Sequence, residues 1–403
     1  MITAPAQGCA ESRAPVFSFD IYRDPQLLDD VHGGWLRVKQ EAPPVFWTPD
    51  NGGHWIANTA ASVIEVLRHP EVFSSRFLSI PPNPNQPHMI PESLDPPEHR
   101  PYRQLLRPFF ESKAIEPLEH WIIDWTNRLI DKVIDKGECE FVEALGSRLP
   151  VSVFMEMFGF PLERFEEFRS LVTGYFAAQA SDTERGALAG RIQQVLAELI
   201  RARQAEPKDD LVSRLAHIDF EGRKLSFEEL MSIGFLMFLA GLDTVTVAMT
   251  FGMRHLAHDE KLRARIIDDP ACIPNAVEEL LRRYAFVATP RQVTRDTLLE
   301  GAQLKAGDMI SCPLMAVGWD AGLNPDPLAV SVDRPAYRHA AFGSGIHTCL
   351  GLHLARLELA TFYRIWFERI GHFREVEPGV RPKMRGGSVM AMESLHLAWD
   401  RRA

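Results

Sequence analysis

Phe342-Gly343-Ser344-Gly345-Ile346-His347-Thr348-Cys349-Leu350-Gly351 is the stretch on which the reading of this 403-residue chain turns. It fits the pattern F-x-x-G-x-x-x-C-x-G. From the chain's own content of 24 Phe, 26 Gly and 5 Cys, chance produces such a match in roughly one chain in a thousand of this length. Glycines at 343, 345 and 351 remove side chains where backbone must come close to another body. Cys349 stands just before a helical pattern at 350–369, whose positive N-terminal end favours thiolate over thiol. Thiolate is the form in which cysteine binds a metal. Phe342 and Leu350 can shield the sulfur from water. Taken alone, a free cysteine is most often a small buried hydrophobe; the flanking pattern sets this one apart.

The surroundings are those of an ordinary soluble globular protein, with 46% apolar and 24% charged residues. The formal charge of −10 argues against general nucleic-acid binding. Cys9, Cys139, Cys272, Cys312 and Cys349 are sparse, odd in number and free of C-x-x-C spacing, as expected in a reducing compartment. The first 20 residues have neither the basic nor the apolar region of a signal peptide. The longest apolar run, 233–242, stops at Asp243, short of the ~20 residues that span a bilayer. A cytoplasmic chain with no membrane partner is expected.

Along the chain, 1–20 reads as an irregular lead-in and 30–39 as a short helix. Segments 45–47 and 54–57 flank Pro49-Asp50-Asn51-Gly52-Gly53, a hairpin signal. A helix follows at 59–68. Residues 80–98 are rich in proline, so no regular element can run through them; such a long loop is either functional or a flexible connection. Helical patterns follow at 116–136, 162–177 and 182–205. Ser226 and Glu229 form a capping box opening the longest helix, which reaches about His258. Its middle is apolar all round, which places it through the protein's centre. Another helix is expected at 275–284, then a small β region at 292–293, 303–304 and 309–310, and an irregular 318–341. The expectation is a mainly α fold with a small β region, in one domain spanning 1–403.

Three further patterns point to the same chemistry. Ala240-Gly241-Leu242-Asp243-Thr244 puts a glycine and a polar pair inside an apolar helix, where both are locally unfavourable. Thr244 can bond a carbonyl one turn back and open the helix. Glu279-Leu280-Leu281-Arg282 sets opposite charges on one helix face. His99 and Arg103 share a helical face by their four-residue spacing. With the cysteine motif, in this order, these patterns resemble the cytochrome P-450 family, the haem-thiolate monooxygenases. The resemblance runs from the hairpin near residue 50 to the tail. Leu94-Asp95-Pro96-Pro97-Glu98, Gly241-Leu242-Asp243-Thr244-Val245 and Glu278-Glu279-Leu280-Leu281-Arg282-Arg283-Tyr284 are most similar to bacterial camphor hydroxylase and its relatives.

The resemblance implies the P-450 fold, a long central helix over haem b, and Cys349 as iron ligand. It assigns Thr244 to dioxygen activation and Asp243 to proton relay. Glu279 and Arg282, joined by Arg334 in Asp333-Arg334-Pro335, become a structural ion network. His99, Arg103, Arg291 and His347 become partners of the haem carboxylates. Met89, Leu236, Leu239, Ala240, Val287 and Val389 become pocket positions, all apolar, suited to a small apolar terpenoid. Camphor hydroxylase carries a tyrosine for the substrate ketone in the loop, but here no tyrosine lies between Tyr22 and Tyr102. Pro87 takes the matching place and His88 is the nearest polar side chain. Cineole or an ionone therefore fits as well as camphor. Thr289 stands where camphor hydroxylase has an acidic residue.

The chain has no Rossmann fingerprint and no flavin or iron–sulfur segment. The implied enzyme is a monomer that takes electrons from a ferredoxin with its reductase, docked around Arg100, Arg103, Arg107, Arg334 and Arg338. The alternatives are a peroxide-driven peroxygenase of the same fold and a non-enzymatic haem sensor.

Overall fold

The computed structural model describes residues 15–176, 182–376 and 382–401. The expected lead-in therefore lies mostly outside the described residues, as do Cys9 and Ala177. The architecture is mainly helical with small sheets, as expected. Five strands form the largest sheet, ordered Val45–Thr48, His54–Ala57, Met309–Pro313, Ala288–Val293 and Phe73–Ser74. The first two are the expected hairpin, with Trp47 opposite Trp55. Gly52 and Gly53 both take positive φ at its turn, where glycine alone is unstrained.

The central helix runs Phe227–His258 over 32 residues, roughly 50 Å. Its start is the expected capping box: Glu229 N–H donates to Ser226 Oγ (3.2 Å) and Ser226 N–H to the Glu229 carboxylate (2.6 Å). It is long and apolar enough to cross a membrane by length and composition, but 72% of its most apolar window is buried inside the protein.

This helix threads two hydrophobic cores. Leu230–Leu242 packs with Val151, Phe154, Phe158 and Phe168. From Val245 onward it packs with Leu280, Phe362 and Trp366 instead. The seam between the two cores falls at Asp243 and Thr244, which is where polar groups cost least. Gly241 is small because a Cβ there would meet the Phe154 ring at 2.7 Å; close helix packing is the local reason for the glycine.

Several boundaries differ from expectation. The stretch 116–136 breaks into a helix at Glu119–Asp131 flanked by short 3₁₀ turns. The last helix begins at Leu352, not 350. Helices Arg148–Phe158, Leu211–His217 and Glu260–Asp268 were not anticipated; the second and third are too short for a clear period, and the first is apolar almost all round. The loop 80–98 has no helix or strand, as expected, but it is not a loose connection. Ile90 N–H donates to Ser232 Oγ of the central helix (3.0 Å), and Tyr22 Oη donates to the Ile80 carbonyl (2.7 Å). Met89 and Ser93 are buried.

Candidate active site

Cys349 is held by a tight loop. Its N–H donates to the Phe342 carbonyl (2.8 Å), and Thr348 Oγ1 donates to the Gly345 carbonyl (2.8 Å). Gly343 and Gly345 both have positive φ, and a Cβ on Gly345 would lie 2.5 Å from the Leu67 carbonyl oxygen. Gly351 differs: its φ is −81° and a Cβ would only touch Cys349 Sγ at 3.9 Å. No steric demand from the protein itself explains that glycine.

The sulfur is accessible, while protein surrounds it at longer range. That burial pushes the Cys349 thiol up from its ordinary value. The Gly351 N–H at the helix start pulls it down, as expected of a helix N-terminus, but is outweighed; Glu92 raises it further, and Arg103 and Arg356 lower it. The expected thiolate preference is therefore present as a contribution and absent as a net result in the protein alone. A coordinating metal deprotonates a thiol outright.

The central helix offers a stripe of accessible positions in a largely buried stretch. Leu236, Ala240, Thr244 and Ala248 recur every fourth residue, with Ala240 the most exposed. Thr244 Oγ1 donates to the Ala240 carbonyl (2.8 Å), the back-bond anticipated from its position. Asp243 turns to the other side of the seam, is buried, and pairs with Arg385 (2.6 Å). Sequence reasoning missed Arg385, which lies 142 residues away and in no motif.

Of the expected apolar pocket positions, Leu236 and Ala240 lie on this stripe and the others divide between the two cores. Met89 and Leu239 are buried and Leu236 half-buried in the same core as Leu350, which flanks the cysteine. Val287 and Val389 face each other in an antiparallel bridge and pack on the core that holds Phe342 and Ala248. The two side chains flanking Cys349 in the motif thus belong to the two cores that meet at Thr244. His88 is exposed.

All four expected carboxylate partners lie within electrostatic reach of Glu92. His99 and His347 stack edge to face with centroids 4.4 Å apart; His99 Nε2 and both ring nitrogens of His347 are buried without hydrogen-bond partners. Burial first, then the charges of His347 and Arg103, push His99 down to about 4, so it stays neutral near pH 7. Arg291 is buried on its strand and donates to the Pro290 carbonyl (2.8 Å). Arg103 is half-buried and donates to the Thr348 carbonyl, bracing the cysteine loop. Glu92, not anticipated, sits among these cations.

The ion network is fully formed. Glu279 and Arg282 are both 0% exposed and pair bidentately at 2.8 and 2.9 Å. Arg334 joins through Glu279 and also donates to the Pro325 carbonyl. With its side chain 6% exposed, Arg334 cannot belong to a docking face, which corrects that expectation; Arg100, Arg107 and Arg338 are exposed. A second brace was missed: Glu278 accepts from Arg356 and lies 3.2 Å from His339 Nε2, and the Arg356 guanidinium lies 4.7 Å over the Phe342 ring. The adjacent acid of the Glu278-Glu279 pair was the available signal.

Comparison with known proteins agrees with this geometry. The family model described as Cytochrome P450 matches residues 272–385. The chain is similar to "Probable cytochrome P450 127A1" of Sinorhizobium fredii, 33% identical over 96% of this chain and 95% of the relative. It is similar to the "Steroid C26-monooxygenase" of Mycolicibacterium smegmatis, 31% identical over 91% of each. The crystal structure of CYP101J2 superposes with a TM-score of 0.89 at 36% identity, covering 99% of this chain and 100% of that one. The chain belongs to the cytochrome P450 family and is a haem-dependent monooxygenase. The residues present fit haem b: an accessible cysteine, an accessible, largely apolar stripe on the central helix, and buried imidazole nitrogens without a hydrogen-bond partner.

Proposed function

We propose that this monooxygenase hydroxylates a compact, hydrocarbon-rich terpenoid such as cineole, an ionone or a camphor-like monoterpenoid. One observation carries the reading. The expected pocket positions Met89, Leu236, Leu239, Ala240, Val287 and Val389 are all apolar, and two of them, Leu236 and Ala240, lie on the accessible stripe of the central helix. Such a lining orients a ligand by shape and excludes water. His88 is exposed and offers a substrate ketone no anchor.

Haem b would be held by Cys349 below and by Arg291, His347, His99 and Arg103 at its carboxylate edge; when bound, it supplies the oxygen and redox chemistry. The chain's residues do the rest. Thr244 presents a hydroxyl on the pocket face of the helix, its own proton given to the Ala240 carbonyl, so its oxygen is free to accept. Asp243, one residue back, exchanges protons with solvent when it leaves Arg385. The apolar side chains hold the reacting carbon and keep bulk water away from the proton path. Glu279, Arg282 and Arg334 keep the neighbouring backbone in place.

Electrons come from a separate ferredoxin with its reductase, meeting the exposed cations Arg100, Arg107 and Arg338 on the cysteine side of a cytoplasmic monomer. Turnover should fall steeply with rising salt; a salt-independent rate counts against this face. The deciding experiment is a substrate-binding spectral screen over camphor, cineole, ionones and a steroid. Displacement of haem-bound water by cineole or an ionone supports the reading, and a response to the steroid alone overturns it. Full turnover with peroxide alone would make the protein a peroxygenase. Haem binding without turnover on any terpenoid would make it a sensor.

A further inference from the structure

Glu92 lies three residues beyond Met89 on the proline-rich loop. Its carboxylate faces a guanidinium and an imidazole from distant parts of the chain: Oε1 is 3.9 Å from Arg291 Nη2, and Oε2 is 3.6 Å from His347 Nδ1. The first sits on the strand Ala288–Val293 and the second in the cysteine loop. Both separations are ion-pair contacts longer than hydrogen bonds. Burial disfavours the ionised carboxyl, but His347, then Arg291 and Arg103, outweigh that and hold it below the usual carboxylate range.

The segment that presents Glu92 is tied down by hydrogen bonds. Ile90 N–H is fixed to Ser232 on the central helix (3.0 Å), Met89 N–H donates to Ser93 Oγ (3.1 Å), and Ser93 N–H donates to the Met89 carbonyl (2.9 Å). One short turn therefore presents two side chains: Met89, buried with the apolar lining, and Glu92, toward the cations. Neither can shift far without the other. Charge makes the placement consequential. Arg291 and His347 are buried to 3% and 8% exposure, and any carboxylate bound there shares them with Glu92.

We propose that Glu92 is a positioning residue that ties the substrate-covering loop to Arg291 and His347, so that one side chain governs both loop closure and the charge at the haem edge. This rests on the reading of those two residues as haem-carboxylate partners. Glu92 offsets part of the Arg291 charge at the haem edge, which favours the ferric state. It also holds Met89 over the pocket, which slows escape of an apolar ligand.

The test uses haem-loaded protein and Glu92→Gln, which keeps the shape and removes the charge. The probe is 4-phenylimidazole, an apolar ring that ligates iron from the pocket side and reports by absorbance. Glu92→Gln should release it about two- to fivefold faster, the size expected for loss of a partly screened ion pair. The wild-type release rate should rise with added salt toward the variant's. The ligand-free midpoint potential of the variant should shift positive. Wild-type release and wild-type potential together overturn the proposal. Arg291→Gln tests the reading beneath it separately, by haem transfer to an acceptor globin. Faster haem loss supports that reading; a wild-type rate shows that the cations do not hold haem, and removes the ground for the proposal whatever Glu92→Gln does.

Discussion

Replacing Glu358 by Gln should make the protein more stable, and by an amount that grows with pH. Glu358 lies on the helix Leu352–Arg369, is 3% exposed, and its Oε2 has no hydrogen-bond partner. Burial alone pushes its carboxyl up to about 8, from an ordinary 4.5. The native state therefore keeps a proton that the unfolded chain loses near pH 4.5. Between those values the native state binds more protons, so stability falls as pH rises, and the loss is complete once pH passes the folded value. At about 1.4 kcal/mol per unit, the cost is about 3 kcal/mol at pH 7 and about 5 kcal/mol above pH 8. Glutamine fits the same space and cannot ionise. Urea unfolding of the haem-loaded proteins, at constant ionic strength from pH 5 to 9, isolates the effect, because every other titrating group cancels in the difference. The variant's advantage should widen steadily to about pH 8 and then level off. Parallel stability curves over that range would refute the reasoning, showing that Glu358 does not keep its proton in the fold.

Three further outcomes are expected. Glu279→Ala leaves Arg282 and Arg334 as buried, uncompensated cations and should cost about 3–5 kcal/mol, read as a fall in thermal midpoint and in haem-loaded yield. Thr244→Ala removes the hydroxyl that bonds Ala240 but no core contact; haem binding should persist while product per electron falls and peroxide accumulates, and unchanged coupling would discard the assigned role. His32 and His54 are held neutral by burial, each pushed down to about 4. Their stabilisation is present above pH 6.5 and lost as pH falls toward 4, up to about 3 kcal/mol each. His54→Gln should flatten that acid limb in a pH series of thermal unfolding.

The chemistry of the site was legible wherever it is written locally. The cysteine loop is one ten-residue segment in which Gly343 and Gly345 answer to φ and Gly345 also to a single close approach. Thr244 and its carbonyl partner are one helical turn apart. Glu279 and Arg282 share a face by spacing alone, and the capping box at Ser226 marks the start of the central helix through contacts three residues long. The apolar run behind that cap told that the helix is buried, because no surface helix can be apolar all round.

Tertiary structure decided what spacing cannot express. Asp243 stands out by its motif, but nothing in the sequence names Arg385, 142 residues away, as its partner. Glu92 reads as a loop carboxylate until the fold brings Arg291 and His347 to it. Arg334 reads both as a member of the ion network and as a docking cation until Glu279 and three backbone carbonyls close around it and leave only the first. The thiol of Cys349 shows the same division. Its helix-start hydrogen bond follows from the chain order, but the burial that outweighs it depends on everything folded around the loop. Local geometry is carried by neighbouring residues, whereas charge balance and solvent exclusion are sums over the whole fold, and only the folded chain performs them.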